Sequence, residues 1–282
     1  MSVSRDEVQQ LQSWKRWLPC ALVLVCAAWP ALARDDGADG KFSKRTSSHF
    51  VLFQDVDIDE SHGLRGSRRF EQDVLDTLEG AYDKLDVYLG LRPRRPITVV
   101  VYDPVIFDQT YAGLFRFAAA GFYAGIVRIR GDTRVHQNLV RVLHHELVHA
   151  ALDAEAPSLS VPAWLNEGLA EWFEARSTGK RLLSPGQAHR LSSFARQGVL
   201  FSLTQLSVPS FSRFSADAAQ VAYLQSYAFV TYLVRQHGER SLRDLCEGYL
   251  RSHDLARAVQ RTYRSELSQL DERFRSDAAR GV

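Results

Sequence analysis

The run Val142-Leu143-His144-His145-Glu146-Leu147-Val148-His149-Ala150 restricts this chain more than any other part of it. It contains no glycine or proline and sits in a helical pattern from Val135 to Leu152, so it reads as a helix, with His145 and His149 one turn apart on one face. Two imidazoles at that spacing can meet one zinc ion. Glu146, about 100° further round the helix, then flanks the ion where a bound water would lie. His144 points about 100° away from His145 and reads as a packed or hydrogen-bonded histidine. His49, His62, His136, His189, His237 and His253 have no partner at ligand spacing.

A second stretch begins 13 residues beyond His149: Pro162-Ala163-Trp164-Leu165-Asn166-Glu167-Gly168-Leu169-Ala170-Glu171. Together, the HExxH and WLNEG motifs resemble the gluzincins, the group of thermolysin and the zinc aminopeptidases, and especially the small bacterial proteins called peptidase MA-like. In that group the glutamate of the Asn-Glu pair is the third zinc ligand, which the matching motif places on Glu167, 18 positions after His149. By the same resemblance Glu171, one turn beyond Glu167, is the carboxylate that bonds a ligand histidine and fixes its tautomer. The other reading of either glutamate, Glu167 or Glu171, is a solvated helix carboxylate.

Three protein ligands leave a fourth position open, as a catalytic zinc site requires and a structural one does not. One zinc per chain is expected, with Glu146 accepting the proton of the attacking water. A tetrahedral intermediate also needs a donor to its oxyanion. The stretch Tyr223-Leu224-Gln225-Ser226-Tyr227 resembles the zinc-aminopeptidase helix that opens with a catalytic tyrosine, but has Gln225-Ser226 where those enzymes have Lys-Gly. Tyr223 is the expected donor and Tyr227 its competitor; the alternative is that both are core tyrosines.

From Gly121 to Arg130 the chain alternates as a strand with one solvated face would. By resemblance this is the edge strand that aligns substrate, with Gly121, Phe122, Tyr123, Ala124 and Gly125 facing the peptide. Aminopeptidases of the group carry a glutamate here for the substrate's amine. This segment has none, so aminopeptidase activity is not inferred; an endopeptidase is the expectation, although the motifs do not encode endo- versus exopeptidase action.

The N-terminus reads as a signal peptide spanning residues 1–33. Lys15 and Arg16 precede an apolar run from Trp17 to Ala28, and Ala31-Leu32-Ala33 supplies a small-x-small cleavage site before Arg34. The run is shorter than the roughly 20 residues of a spanning helix, so an exported protein, periplasmic or secreted, is expected; an N-terminal anchor is the alternative. Removal of Cys20 and Cys26 would leave Cys246 alone, excluding an internal disulfide and suggesting a buried structural thiol.

The remainder, 34–282, is expected to form one α+β domain of thermolysin-like, gluzincin type. Residues 34–134 supply its sheet part, with strands at Ser47–Val56 and Ile97–Tyr102 around a helix from Phe70 to Leu89. Residues 135–282 supply the helical part: Val135–Leu152, Pro162–Arg176, Ala218–His237 and stretches after Ser241, with a long loop over Gly198–Ser215. A net charge of +2 with interspersed signs points to no nucleic acid and no polybasic membrane surface. The expected partner is a peptide or protein, with no stable membrane span after processing; oligomeric state is not encoded. The competing function is a non-catalytic zinc-binding envelope protein, against which the intact Glu146 argues.

Overall fold

The computed structural model describes residues 42–55, 68–111, 120–132, 134–180 and 182–281. The signal-peptide segment and His62 lie outside them.

Five strands form one mixed sheet in the order β1-β2-β3-β5-β4. They are β1 (Phe42–Thr46), β2 (Phe50–Asp55), β3 (Ile97–Tyr102), β4 (Gly121–Tyr123) and β5 (Val127–Arg130). β2 and β3 pair in parallel, with Phe50 opposite Ile97, and are joined through helix α1 (Arg68–Leu89). That crossover is the expected strand-helix-strand unit. Phe70, Val74, Leu78, Ala81, Leu85 and Leu89 form the stripe by which α1 enters the core. Ser47, Ser48 and His49 belong to the turn between β1 and β2, not to a strand as expected, and the amide of Ser47 bonds the carbonyl of Phe50 at 3.0 Å. β1, mostly polar, has no apolar alternation to announce it.

The expected single strand from Gly121 to Arg130 is a hairpin. The chain reverses through Ala124, Gly125 and Ile126, with Gly125 at φ +74°, a conformation that suits glycine. Its second arm, β5, pairs in parallel with β3 and is interior; only the three residues of β4 lie at the sheet edge. Nor is one face solvated: Val127, Arg128 and Ile129 are buried. Arg128 is accommodated because its guanidinium donates to the carbonyls of Ala124 and Ile126, at 3.1 and 3.2 Å, and lies over the Phe122 ring.

After helix α2 (Pro104–Tyr111) and this hairpin the chain becomes helical. The elements are α3 (Gln137–Glu155), α4 (Ala163–Ser177), α5 (Pro185–Arg196), α6 (Leu203–Leu206), α7 (Ala216–His237), α8 (Glu239–Ser252), α9 (Leu255–Tyr263) and α10 (Leu267–Arg280). The architecture is therefore mixed α+β, mostly helical. α3 begins two residues later than Val135 because His136 caps it, Nδ1 accepting the Leu139 amide at 3.2 Å. The expected loop over Gly198–Ser215 contains α6 and a 3₁₀ turn at Phe211–Arg213. α5 has few apolar residues but carries a start signal, Ser184-Pro185-Gly186-Gln187, which forms a capping box.

Residues 142–152 of α3 are buried without a break, so this helix runs through the core instead of lying on it. α4 packs beside it and buries Trp164, Trp172 and Phe173. Gly168 sets the spacing of α4 and α7: a Cβ there would meet the Ser226 carbonyl oxygen and a Val230 methyl at 2.7 Å. Only glycine permits that approach. Cys246 of α8 is buried, and burial pushes its thiol up to about 12, in keeping with a structural thiol.

Candidate metal centre

α3 presents His145 and His149 from one face, and α4 lays Glu167 against them. Glu167 Oε2 is 3.5 Å from His145 Nε2 and 3.8 Å from His149 Nε2, and one donor atom from each residue falls within a 4.8 Å group. Zinc with ligands at 2.0–2.1 Å in a tetrahedron needs donor separations of about 3.3 Å, so an ion fits after a slight contraction. None of these three atoms has a hydrogen-bond partner, although all are buried. Three orphaned acceptors and donors converging in a dry interior cost several kcal/mol unless a cation joins them. The residues present fit zinc.

The electrostatics of the centre give the same picture. Burial disfavours a charge on His145, but the Glu167 carboxylate beside it and the charges of Glu146 and Glu171 prevail, raising its pKa to about 9. His149 is driven far down, by burial and then by the charge on His145. Burial raises Glu167.

Glu146 is fully buried, and burial raises its carboxyl to about 8, partly offset by His145 and by the Tyr123 backbone. Neither of its oxygens accepts a hydrogen bond of ordinary geometry. The carboxylate is thus available to a small molecule at the metal position. Proximity to the Tyr123 backbone also brings the end of edge strand β4 to the centre. Tyr123 is tied on its other side by its hydroxyl, 2.5 Å from Asp153 Oδ2 on α3. Ala124 and Gly125, expected on the strand, are in the turn beyond it.

His149 is oriented by a group that the sequence reading did not single out. Asn166 Oδ1 lies 2.9 Å from His149 Nδ1, leaving Nε2 to face Glu167. The requirement that every ligand imidazole have a partner could have found it, since Asn166 directly precedes Glu167. Behind His145, Glu171 and Glu174 form with it a second group of donor atoms within 4.8 Å. Glu171 makes no hydrogen bond to His145 Nδ1; the closer contact is Glu174 Oε2, at 3.9 Å. Burial and the charge of Glu174 raise Glu171 to about 7. His144 turns away, with Nδ1 2.6 Å from the Ser177 hydroxyl.

Both tyrosines of α7 are buried. The Tyr227 hydroxyl accepts the Leu183 amide at 3.1 Å. Burial raises it to about 12, and the charges of Glu171 and Glu174 add to this. Tyr223 packs edge-on against Phe211. A surface cavity of about 940 Å³, lined by Arg92, Arg94 and Arg243 among others, is separate from the metal centre.

The profile of the Peptidase MA superfamily matches residues 77–279, which include α3, α4 and α7. The chain belongs to the Peptidase MA superfamily. No curated protein matches it. Membership makes it a peptidase-type hydrolase in a typically metal-dependent group, and implies peptide or protein substrates. Among the described residues no helix is long and apolar enough to cross a membrane.

Proposed function

We propose that this Peptidase MA protein is a zinc endopeptidase of the gluzincin type, with a thermolysin-like catalytic core. The observation that carries the reading is the convergence of His145, His149 and Glu167 in a buried group, with the buried Glu146 carboxylate next to it. Those three residues would hold the ion. When bound, zinc supplies Lewis acidity and lowers the pKa of a water to about 7.

The chain's own groups do the rest. Glu146 takes the proton of the attacking water and returns it to the leaving amine, from a position directly beside the converging ligands. Asn166 holds His149 in the tautomer that presents Nε2. β4 offers a substrate backbone a short edge, with Gly121, Phe122 and Tyr123 alongside it. Tyr223 donates its hydroxyl to the oxyanion, with Tyr227, whose oxygen accepts the Leu183 amide and whose own proton remains to donate, as the competitor.

Residues 1–33 act as an export signal, cleaved before Arg34, which makes the working enzyme periplasmic or secreted. Intact mass of the exported form tests this; retention of residues 1–33 contradicts it. The catalytic reading is tested by incubating the protein with an unbiased peptide mixture, with and without a chelator. Internal cleavages that the chelator abolishes are expected. A protein that binds zinc but cleaves nothing supports the non-catalytic envelope protein instead.

A further inference from the structure

β4 has only three residues and lies at the edge of the sheet, and a strand that short frays unless something besides its ladder holds it. Its ladder to β5 alternates. The Arg130 amide bonds the Ala120 carbonyl at 2.9 Å and the Ala124 amide bonds the Ile126 carbonyl at 3.2 Å. In this antiparallel register Phe122 therefore turns its main-chain groups to Arg128, whereas those of Gly121 and Tyr123 point away from β5. Side chains alternate as well: Phe122 lies under the Arg128 guanidinium on one face, and Gly121 and Tyr123 meet α3 on the other. A Cβ on Gly121 would touch a Val142 methyl at 2.8 Å, and the Tyr123 hydroxyl donates to Asp153 Oδ2 at 2.5 Å. Val142 and Asp153 stand on either side of the turn that carries His145 and His149, so α3 holds β4 both before and after its ligand turn.

We infer that the hydrogen bond between Tyr123 and Asp153 is a latch that keeps β4 ordered for an extended peptide to add to it, and that the two side chains position substrate main chain without taking part in the chemistry. Asp153 is exposed, so the bond is not needed to satisfy a buried carboxylate. Tyr123 is buried, and phenylalanine in its place would keep the ring that fills the space. What the bond supplies is a fixed strand. A peptide that adds to a fixed edge meets no further ordering cost, whereas one that adds to a loose edge must order it first. The benefit therefore goes to substrates long enough to run along β4, and not to those that reach only the cleaved bond. Tyr123 and Asp153 are positioning residues in this sense.

The inference rests on the peptidase reading above, and the test separates the two. The full protein, after processing, is assayed with a peptide that wild type cleaves and with the same peptide trimmed to one residue on either side of the cleaved bond. Tyr123→Phe is expected to raise KM for the long peptide about 5- to 10-fold, with kcat changed by less than about 2-fold, and to affect the trimmed peptide far less. Asp153→Ala, at an exposed position where folding is not at stake, should match it, and the double variant should be no worse than either single one. Asp153→Asn retains an acceptor oxygen and should restore the wild-type KM. With Glu146→Gln added to each protein to stop cleavage, the same loss should appear as weaker binding of the labelled long peptide, read by fluorescence anisotropy. Equal losses on long and trimmed peptides, or no loss in either Tyr123→Phe or Asp153→Ala, overturn the inference. A wild type that cleaves no peptide removes the reading beneath it, and the inference with it.

Discussion

Asn166 Oδ1 sits 2.9 Å from Nδ1 of His149, and the next residue along α4 is the carboxylate 3.8 Å from the other nitrogen of the same ring. One helix thus grips both ends of one imidazole. An acceptor at Nδ1 makes Nε2 the lone-pair nitrogen and raises its basicity, so losing it should weaken metal binding without removing a ligand. Asn166→Leu is expected to lower zinc affinity about 10- to 100-fold, measured by competition with a chromophoric chelator. Asn166→Asp, which retains an acceptor, should stay close to wild type; equal losses in both would assign Asn166 a packing role.

Glu146→Gln should hold zinc as tightly as wild type, because Glu146 is not among the converging ligands. Its hydrolysis should fall by about 10²-fold or more, since an amide cannot accept the water's proton. Turnover at the wild-type rate, measured on any peptide the library identifies, would place the general base elsewhere.

Much of the site was legible because it depends on local spacing. Five residues spanning a little over one helix turn and a second short motif carry the HExxH and WLNEG signatures, and helical geometry alone aligns His145 with His149. What the sequence did not disclose is tertiary. Glu174, Arg141 and Lys180 meet only when α3 and α4 pack, and no rule of spacing predicts an ion pair across 33 positions. The hairpin at Ala124-Gly125-Ile126 was hidden by alternation: both arms have it, so the turn shows only as a glycine able to take positive φ. β1, α2 and α5 were missed because their apolar periodicity is weak. The α1 crossover and the long helices, which bury continuous stripes, were read to within a few residues.

The two tyrosines of α7 should separate cleanly. Tyr223→Phe removes a hydroxyl needed only after water attacks, so kcat should drop about 10²- to 10³-fold with zinc content unchanged. Tyr227→Phe releases the Leu183 amide, and Leu183 is held at φ 51°, an unfavourable backbone for leucine. Its effect should be a loss of roughly 1 kcal/mol of stability, read by urea unfolding, with kcat within a few-fold of wild type. A large kcat loss confined to Tyr227→Phe would move the oxyanion donor one turn along the helix.

His144 makes stability depend on pH. Burial, then the charge of Lys84, depresses its pKa from 6.5 to about 4. Between those values the unfolded chain binds a proton that the folded chain does not, so its contribution is complete above about pH 6.5 and is lost as the pH falls towards 4. A buried group shifted this far accounts for roughly 3 kcal/mol at most. Urea unfolding of the chelator-treated protein at pH 7.5 and 4.5 should therefore show a smaller drop for His144→Gln than for wild type. Equal drops would mean that the His144–Ser177 pair does not govern this dependence.

The central claim is that one zinc is held by two residues of α3 and one of α4, and metal analysis after exhaustive dialysis tests it most directly. Wild type should retain one zinc per chain, while His149→Ala and Glu167→Ala, each deprived of one of three protein ligands, should retain almost none. Full retention in Glu167→Ala would contradict the account and move the third ligand to Glu171 or Glu174; a wild type that binds no zinc would contradict it altogether.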